Sequence, residues 1–174
     1  TTADTSGNGG TTAFSTATET ASITVTAIND APSITNGASY ALTGTDEDTT
    51  SSATTVSTIL TAISHADVDT GASSGIAITA TTGNGTWQYF DGVGWTAFGS
   101  VSSTNALLLS STSQVRYVPD GSAAESVQFD FIAWDQTSGS ASSNGSPQYA
   151  DTSTAGGTTA FSTESASATL SVSE

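Results

Sequence analysis

Asp67 and Asp69 are the residues whose types and spacing most directly indicate chemistry in this sequence. In a strand their side chains would share a face, and in a loop both carboxylates can converge on one cation. Calcium takes six to eight oxygen ligands, drawn from carboxylates, amide and backbone carbonyls, and water. We therefore predict a Ca²⁺ site centred on Asp67 and Asp69.

Further oxygen-bearing side chains are needed to complete such a site. The candidates are Glu47, Asp135, Asn29 and Asp30, provided that their loops meet at one pole of the fold. The chain carries 16 acidic residues against a single Arg, with a formal net charge of −15, so salt bridges cannot neutralise its carboxylates. The alternative is that these residues are solvated loop carboxylates.

The same excess of acidic residues limits the kinds of partner that the chain can bind. Nucleic acid and anionic membrane surfaces both require a basic footprint, which this chain lacks. No apolar run approaches the ~20 residues that span a bilayer, so we expect no membrane insertion. Because the chain has no Cys, we expect bound metal rather than disulfides to supply rigidity.

Catalytic groups are scarce. His65 is the only histidine, and nothing in the sequence places a Ser nucleophile and a carboxylate beside it in the order of a triad. A pair of carboxylates acting as in glycosidases is the remaining enzymatic alternative. We predict that the protein is not an enzyme and that His65→Ala leaves any function intact.

An internal repeat organises the chain. The segment beginning at Ala3 recurs from Ala150 at an offset of 147 residues, and both copies contain the block GGTTAFST. Residues 1–28 are therefore expected to be the closing strand of a preceding repeat, or a donor strand. Residues 29–32 form a linker, and residues 33–174 form one repeat. We read the chain as a piece of a longer polypeptide or as a processed product. The alternative is two similar Thr-rich hairpins within one domain.

Alternation of apolar and polar residues, broken by turn residues, predicts an all-β antiparallel sandwich of the immunoglobulin-like, Greek-key type. A helical turn at 58–64 is the alternative for part of the third strand. On Val127–Trp134 the odd residues are expected to face the core, with Trp134 under a loop or partly exposed. The predicted strands are Ala21–Ile28, Ser39–Thr43, Thr55–Leu60, Ile76–Thr82, Thr86–Phe90, Trp95–Phe98, Ala106–Ser110, Gln114–Val118, Ser126–Trp134 and Ser165–Val172.

Several motifs resemble a known family. Asn29-Asp30-Ala31-Pro32 resembles the linker between cadherin-like repeats of giant RTX-type adhesins, which are exported by type I secretion. Further motifs follow in the family's order: Thr45–Thr49, Asp67-Val68-Asp69, Gly85–Tyr89 with Asp91-Gly92 and Trp95, Val115–Asp120 and Phe129–Asp135. The resemblance implies an immunoglobulin-like sandwich, an extracellular location and calcium at domain junctions.

Three functions follow as expectations. The first is a calcium-rigidified repeat that stacks with neighbouring copies in an adhesive surface stalk. The second is a filament subunit joined by strand donation, because residues ~18–28 are expected to form a strand paired outside the slot of residues 165–172. The third is a carbohydrate-binding module, in which exposed aromatic residues would contact a surface glycan.

Overall fold

Eleven strands and one short helix make up the fold of this chain. The structure is a computed structural model that describes all 174 residues. The elements are β1 (Ser39–Ala41), β2 (Thr45–Asp46), β3 (Thr54–Thr55), α1 (Val56–Ala62), β4 (Gly75–Thr81), β5 (Thr86–Phe90), β6 (Trp95–Ala97), β7 (Ala106–Ser110), β8 (Gln114–Val118), β9 (Glu125–Trp134), β10 (Tyr149–Ala150) and β11 (Phe161–Ser173).

The strands form two sheets, as the predicted β-sandwich requires. The larger sheet has the order β1-β11-β9-β4-β7-β10, with β2 also paired to β11, and the smaller has the order β3-β8-β5-β6. Most pairs are antiparallel, but β1 and β2 lie parallel to β11. The predicted antiparallel β-sandwich is confirmed, and the two short parallel pairs arise because the incoming chain runs in the same direction as the closing strand.

Aromatic side chains join the two sheets. Trp87 of β5 meets Phe129 of β9 edge-on, with ring centroids 5.0 Å apart, and lies 4.9 Å from the ring of Tyr117 on β8. Val127, Phe129 and Phe131 are buried in this core, together with Ala133. The odd face of β9 therefore packs inward, as the alternation predicts.

A second apolar layer covers the outer face of the larger sheet. Trp134 is fully buried there, and its indole N–H donates to the carbonyl of Ser138 at 2.8 Å. Trp134 thus lies under a loop rather than being exposed. Its neighbours are Ala77, Ala106, Leu108, Ile132, Ala160 and Phe161.

The strand predicted at Thr55–Leu60 is wrong, because α1 occupies Val56–Ala62. Thr55 begins this helix as its N-cap, accepting a hydrogen bond from the Thr58 N–H at 3.3 Å. Val56, Ile59, Leu60 and Ile63 follow helical spacing and are all buried. The alternative, a helical turn at residues 58–64, overlaps α1 and describes this segment better than a strand does.

The strand predicted at Ala21–Ile28 is not formed in this chain. Residues 17–32 contain no regular secondary structure. The exposed fractions of Ile23 and Val25 are 89% and 86%. An extended segment without a neighbouring sheet has no partner for its backbone hydrogen bonds and no core for its apolar face.

Candidate functional site

The chain enters the sandwich at one end, which we call the N-terminal pole. The N–H of Ala31 donates to the carbonyl of Gly157 at 2.8 Å, and Ser33 forms a bridge with Ala66. Residues 29–31 are thereby attached to the loop that precedes β11. This attachment fixes the linker relative to the loops around it.

Asn29 connects the linker to the end of β9. Its amide Nδ2 donates to Oδ2 of Asp135 at 2.8 Å and to the carbonyl of Thr159 at 3.2 Å. Asp135 is only 2% exposed, and its Oδ1 accepts from both the N–H and the hydroxyl of Thr137, at 2.8 Å and 2.6 Å. These hydrogen bonds are what makes a buried carboxylate acceptable next to the apolar layer.

Asp30 connects the linker to the loop of Asp67 and Asp69. The N–H of Asp30 donates to Oδ2 of Asp69 at 2.9 Å. Within that loop, Oδ1 of Asp67 accepts from the Asp69 N–H at 2.9 Å, which is an Asx-turn. The other carboxylate oxygen of Asp67, Oδ2, is buried and has no hydrogen-bond partner.

Five of the predicted site residues therefore meet at the N-terminal pole: Asn29, Asp30, Asp67, Asp69 and Asp135. A gap of about 430 Å³ lies between the linker and the Asp69 loop. Ile28 and Val68, both exposed, line it together with Asn29 and Asp69. The pole thus presents carboxylates beside an uncovered apolar rim.

Glu47 does not belong to this cluster, so the prediction that it shares one site with Asp67, Asp69 and Asp135 is corrected. The Glu47 N–H donates to the carbonyl of Ser173 at 2.9 Å, at the far end of β11. Asp135 follows Trp134, which pairs with Phe161 at the near end of the same strand. Twelve residues of strand separate the two ends, which is roughly 40 Å.

Glu47 instead marks what we call the C-terminal pole. One carboxylate oxygen of Glu47, Oε2, is buried there without a hydrogen-bond partner. Asp46, whose Oδ1 accepts from the Asp48 N–H at 3.2 Å, lies beside the last residues of β11. A second acidic end therefore lies opposite the first.

The donor atoms of the N-terminal pole are of the kind that binds a hard cation, but they do not converge on one point. All the side-chain donors are carboxylate or amide oxygens, which calcium prefers. No group of three or more His, Cys, Asp or Glu side chains is close enough to hold a metal in the arrangement seen. Among these oxygens, Oδ2 of Asp67 is buried and accepts no hydrogen bond, so it is the one most in need of a bound cation.

His65 lies two residues from Asp67 and is half-buried. Its Nε2 is buried and has no hydrogen-bond partner. Burial lowers the pKa of His65, and the nearby charge of Asp67 acts in the opposite direction. The prediction that His65 is not catalytic remains a prediction.

Of the three tryptophans, Trp87 and Trp134 are buried, so a ring platform for sugars is restricted to Trp95. Trp95 lies 5.5 Å from the ring of Phe90, and the Arg116 guanidinium carbon is 3.9 Å from its ring centroid. The Arg116 Nε also donates to Oε1 of Gln88 at 2.9 Å. Alternation within β5 and β8 places Gln88, Phe90 and Arg116 on the outer face of the smaller sheet, and this pattern is the signal in the sequence that indicates the cluster.

No protein-family model, no curated protein and no solved structure matches the chain. Its single helix, α1, is not long and apolar enough to cross a membrane. Function must therefore be inferred from the two poles, the repeat and the outer sheet face described above.

Proposed function

We propose that this chain is a non-enzymatic structural module of an extracellular adhesive stalk, stacked end to end with neighbouring copies and stiffened by Ca²⁺ at the junctions. The observation that carries this proposal is the path of the chain. Residues 31–46 run alongside residues 157–173 in the same direction, from the N-terminal pole to the C-terminal pole. A module whose chain enters and leaves at opposite ends joins its neighbours in a line.

Carboxylates at both ends support the calcium part of the proposal. Stacking brings the C-terminal pole of one copy, with Glu47, against the N-terminal pole of the next, with Asp67, Asp69 and Asp135. Like charges at such a contact repel unless a cation neutralises them. The residues that would hold the ion are Asp67, Asp69, Asp135 and Asn29 of one copy, and Glu47 of the copy before it. Asp30 would contribute through its side chain or its backbone.

The proposed location follows from the same chemistry. Extracellular calcium modules bind with dissociation constants of roughly 10⁻⁴–10⁻³ M, so calcium at extracellular concentrations would occupy such a site. The resemblance to repeats of RTX-type adhesins exported by type I secretion supports the same location. A role in surface attachment and biofilm formation is proposed on that resemblance.

Four of the five proposed ligands lie on one copy, so the first test is a calcium titration of the full chain followed by circular dichroism. At free calcium of ~100 times Kd the native state gains about 2.7 kcal/mol. For a domain of this size that gain raises Tm by roughly 5–10 °C. Asp67→Asn combined with Asp69→Asn should abolish the shift.

A matched control is Asp130→Asn. It removes one carboxylate from the middle of β9, where Asp130 pairs with Ser167, away from both poles. This variant should keep the calcium response of the unsubstituted chain. If calcium and chelator give the same melting curve for the unsubstituted chain, the calcium part of the proposal fails.

A second candidate function, glycan binding, rests on the cluster of Phe90, Trp95 and Arg116. Aromatic edges beside a guanidinium and the Gln88 amide offer the apolar contact and the hydrogen-bond donors that a pyranose ring requires. Because Trp95 is the one tryptophan outside the buried core, quenching of its fluorescence by neutral β-linked oligosaccharides would report binding. Trp95→Ala should abolish quenching, and an unchanged spectrum at millimolar sugar would end this candidate.

A further inference from the structure

The two copies of the repeated block adopt the same turn. In each copy two consecutive glycines have positive φ, +76° and +59° at Gly9 and Gly10, and +77° and +59° at Gly156 and Gly157. The same two hydrogen bonds close both turns: Gly9 N to Phe14 O at 2.8 Å and Thr12 N to Gly9 O at 3.1 Å, then Gly156 N to Phe161 O at 2.8 Å and Thr159 N to Gly156 O at 3.1 Å. The first copy forms this turn without any sheet, so the turn is encoded locally.

After the turn the two copies diverge. The second copy continues as β11, whereas the first continues without secondary structure. Leu170 and Val172 are 2% and 4% exposed, but their counterparts Ile23 and Val25 are 89% and 86% exposed. The first copy thus has the turn and the inward apolar residues of a closing strand and lacks only the sheet.

The position of β11 shows what kind of sheet this segment fits. β11 lies between β9, to which it is antiparallel, and the parallel strands β1 and β2. In any complete copy this slot is already filled by that copy's own β11. The acceptor must therefore be a copy of the repeat that has no other closing strand.

The short linker between this segment and the module indicates which copy of the repeat is the acceptor. Thr26 is three residues before Asn29, and Asn29 is hydrogen-bonded to Asp135 at the N-terminal pole. Three residues span at most about 10 Å, so a strand ending near Thr26 ends directly against this pole. The acceptor's C-terminal pole is thereby positioned end-on to this module.

We propose that residues 14–27 are the closing strand of a preceding copy of the repeat in the same polypeptide. They lie antiparallel to that copy's β9 and parallel to its β1 and β2. Ala21, Ile23 and Val25 occupy the inward positions that Ala168, Leu170 and Val172 occupy here. The inference rests on the end-to-end arrangement proposed above and adds the partner and the register.

Glu19 is the one charged residue that this register turns inward. It takes the position of Ala166, which pairs with Phe131 and is buried. A carboxylate facing an apolar core is costly unless it is paired. The register therefore predicts that Glu19→Ala stabilises the preceding copy and leaves this module unchanged.

The register can be tested on the full chain extended by one copy. Residues 29–147 of this sequence are placed directly before Thr1, so that residues 1–27 follow them as residues 148–174 do here. The amides of Ile23 and Val25 should then be protected from hydrogen exchange by at least ~1,000-fold relative to the unextended chain. Two folded units should be present.

Ile23→Asp supplies the internal control. In the extended chain it should unfold the first unit and leave the second intact, while in the unextended chain it should not change Tm. Glu19→Ala should raise the Tm of the first unit alone. Such a gain is expected only if Glu19 faces the core in the proposed register, because most substitutions lower stability.

Two outcomes would overturn the proposal. One is an extended chain in which residues 29–147 stay unfolded and Ile23 and Val25 exchange freely. The other is an unextended chain that self-associates with the same two amides protected, which would mean strand donation between molecules. If the extended chain folds but the stiffness of the junction between its two units is the same with calcium and with chelator, the closing-strand proposal is supported and the proposed calcium site at the junction is contradicted.

Discussion

At the scale of single residues, the hydroxyl of Tyr117 links the two sheets. It donates to Oε1 of Glu125 at the start of β9, at 2.5 Å, and accepts from the Gly85 N–H at 2.6 Å. Burial raises the pKa of Tyr117, and its hydrogen bond to Glu125 acts in the same direction. The fold therefore favours the neutral phenol.

This shift predicts a loss of stability in alkali. In the unfolded chain tyrosine releases its proton near its ordinary pKa of about 10, while folded Tyr117 retains its proton to higher pH. The unfolded state then binds fewer protons, so the contribution of Tyr117 to the free energy of unfolding is constant below pH ~10 and decreases above it. Urea unfolding between pH 8 and 11 measures this slope. Burial also raises the pKa of Tyr89 and of Tyr149, so both contribute to the slope in the same direction, and the chain has no Lys or Cys to add to it.

Tyr117→Phe should flatten that slope and lower the free energy of unfolding at pH 7 by about 1–3 kcal/mol, since the Gly85 N–H and Glu125 lose their partner. Tyr40→Phe is the control, because Tyr40 is partly buried and its hydroxyl makes no hydrogen bond. Equal losses in both variants would contradict the role given to the Tyr117 hydroxyl.

At the scale of elements, α1 shows how a short capping signal overrides strand propensity. Thr55→Ala should lower the free energy of unfolding by about 1 kcal/mol, because the Thr58 N–H loses its acceptor. Thr55→Ser keeps a hydroxyl and should retain most of the stability. Chemical denaturation of the two variants distinguishes a cap from a residue that merely favours extended backbone.

The two copies of the closing strand provide a matched pair at the same scale. Leu170→Ala should cost about 2–5 kcal/mol, since it opens a cavity in the core, whereas Ile23→Ala should stay within about 0.5 kcal/mol. Thermal unfolding of the 174-residue chain measures both. A comparable loss at Ile23 would mean that its segment packs within this chain.

At the scale of the whole molecule, the net charge of −15 causes long-range self-repulsion. Self-repulsion destabilises the folded state most at low ionic strength, where the Debye length is ~30 Å at 0.01 M against ~8 Å at 0.15 M. Raising NaCl over this range should increase Tm by a few degrees. CaCl₂ at the same ionic strength should raise Tm further than NaCl does. Equal Tm values in the two salts would mean that calcium acts only by screening charge.

The sequence by itself determined the all-β class, most strand positions and the five polar residues of the N-terminal pole, because alternation, turn residues and local motifs are short-range signals. Strands β5, β7 and β8 begin and end where alternation predicts. The GGTT turn forms even without a sheet, for the same reason.

Only the tertiary structure decided what depends on strand direction and on neighbours. Glu47 and Asp135 are both acidic residues near strand ends, yet they lie beside opposite ends of β11 and therefore at opposite poles. Likewise Ile23 and Leu170 follow the same turn in equivalent segments, but only Leu170 has a sheet on either side. Pairing is a long-range property: a strand exists when another part of the chain supplies its hydrogen bonds and covers its apolar face, and no local pattern contains that information.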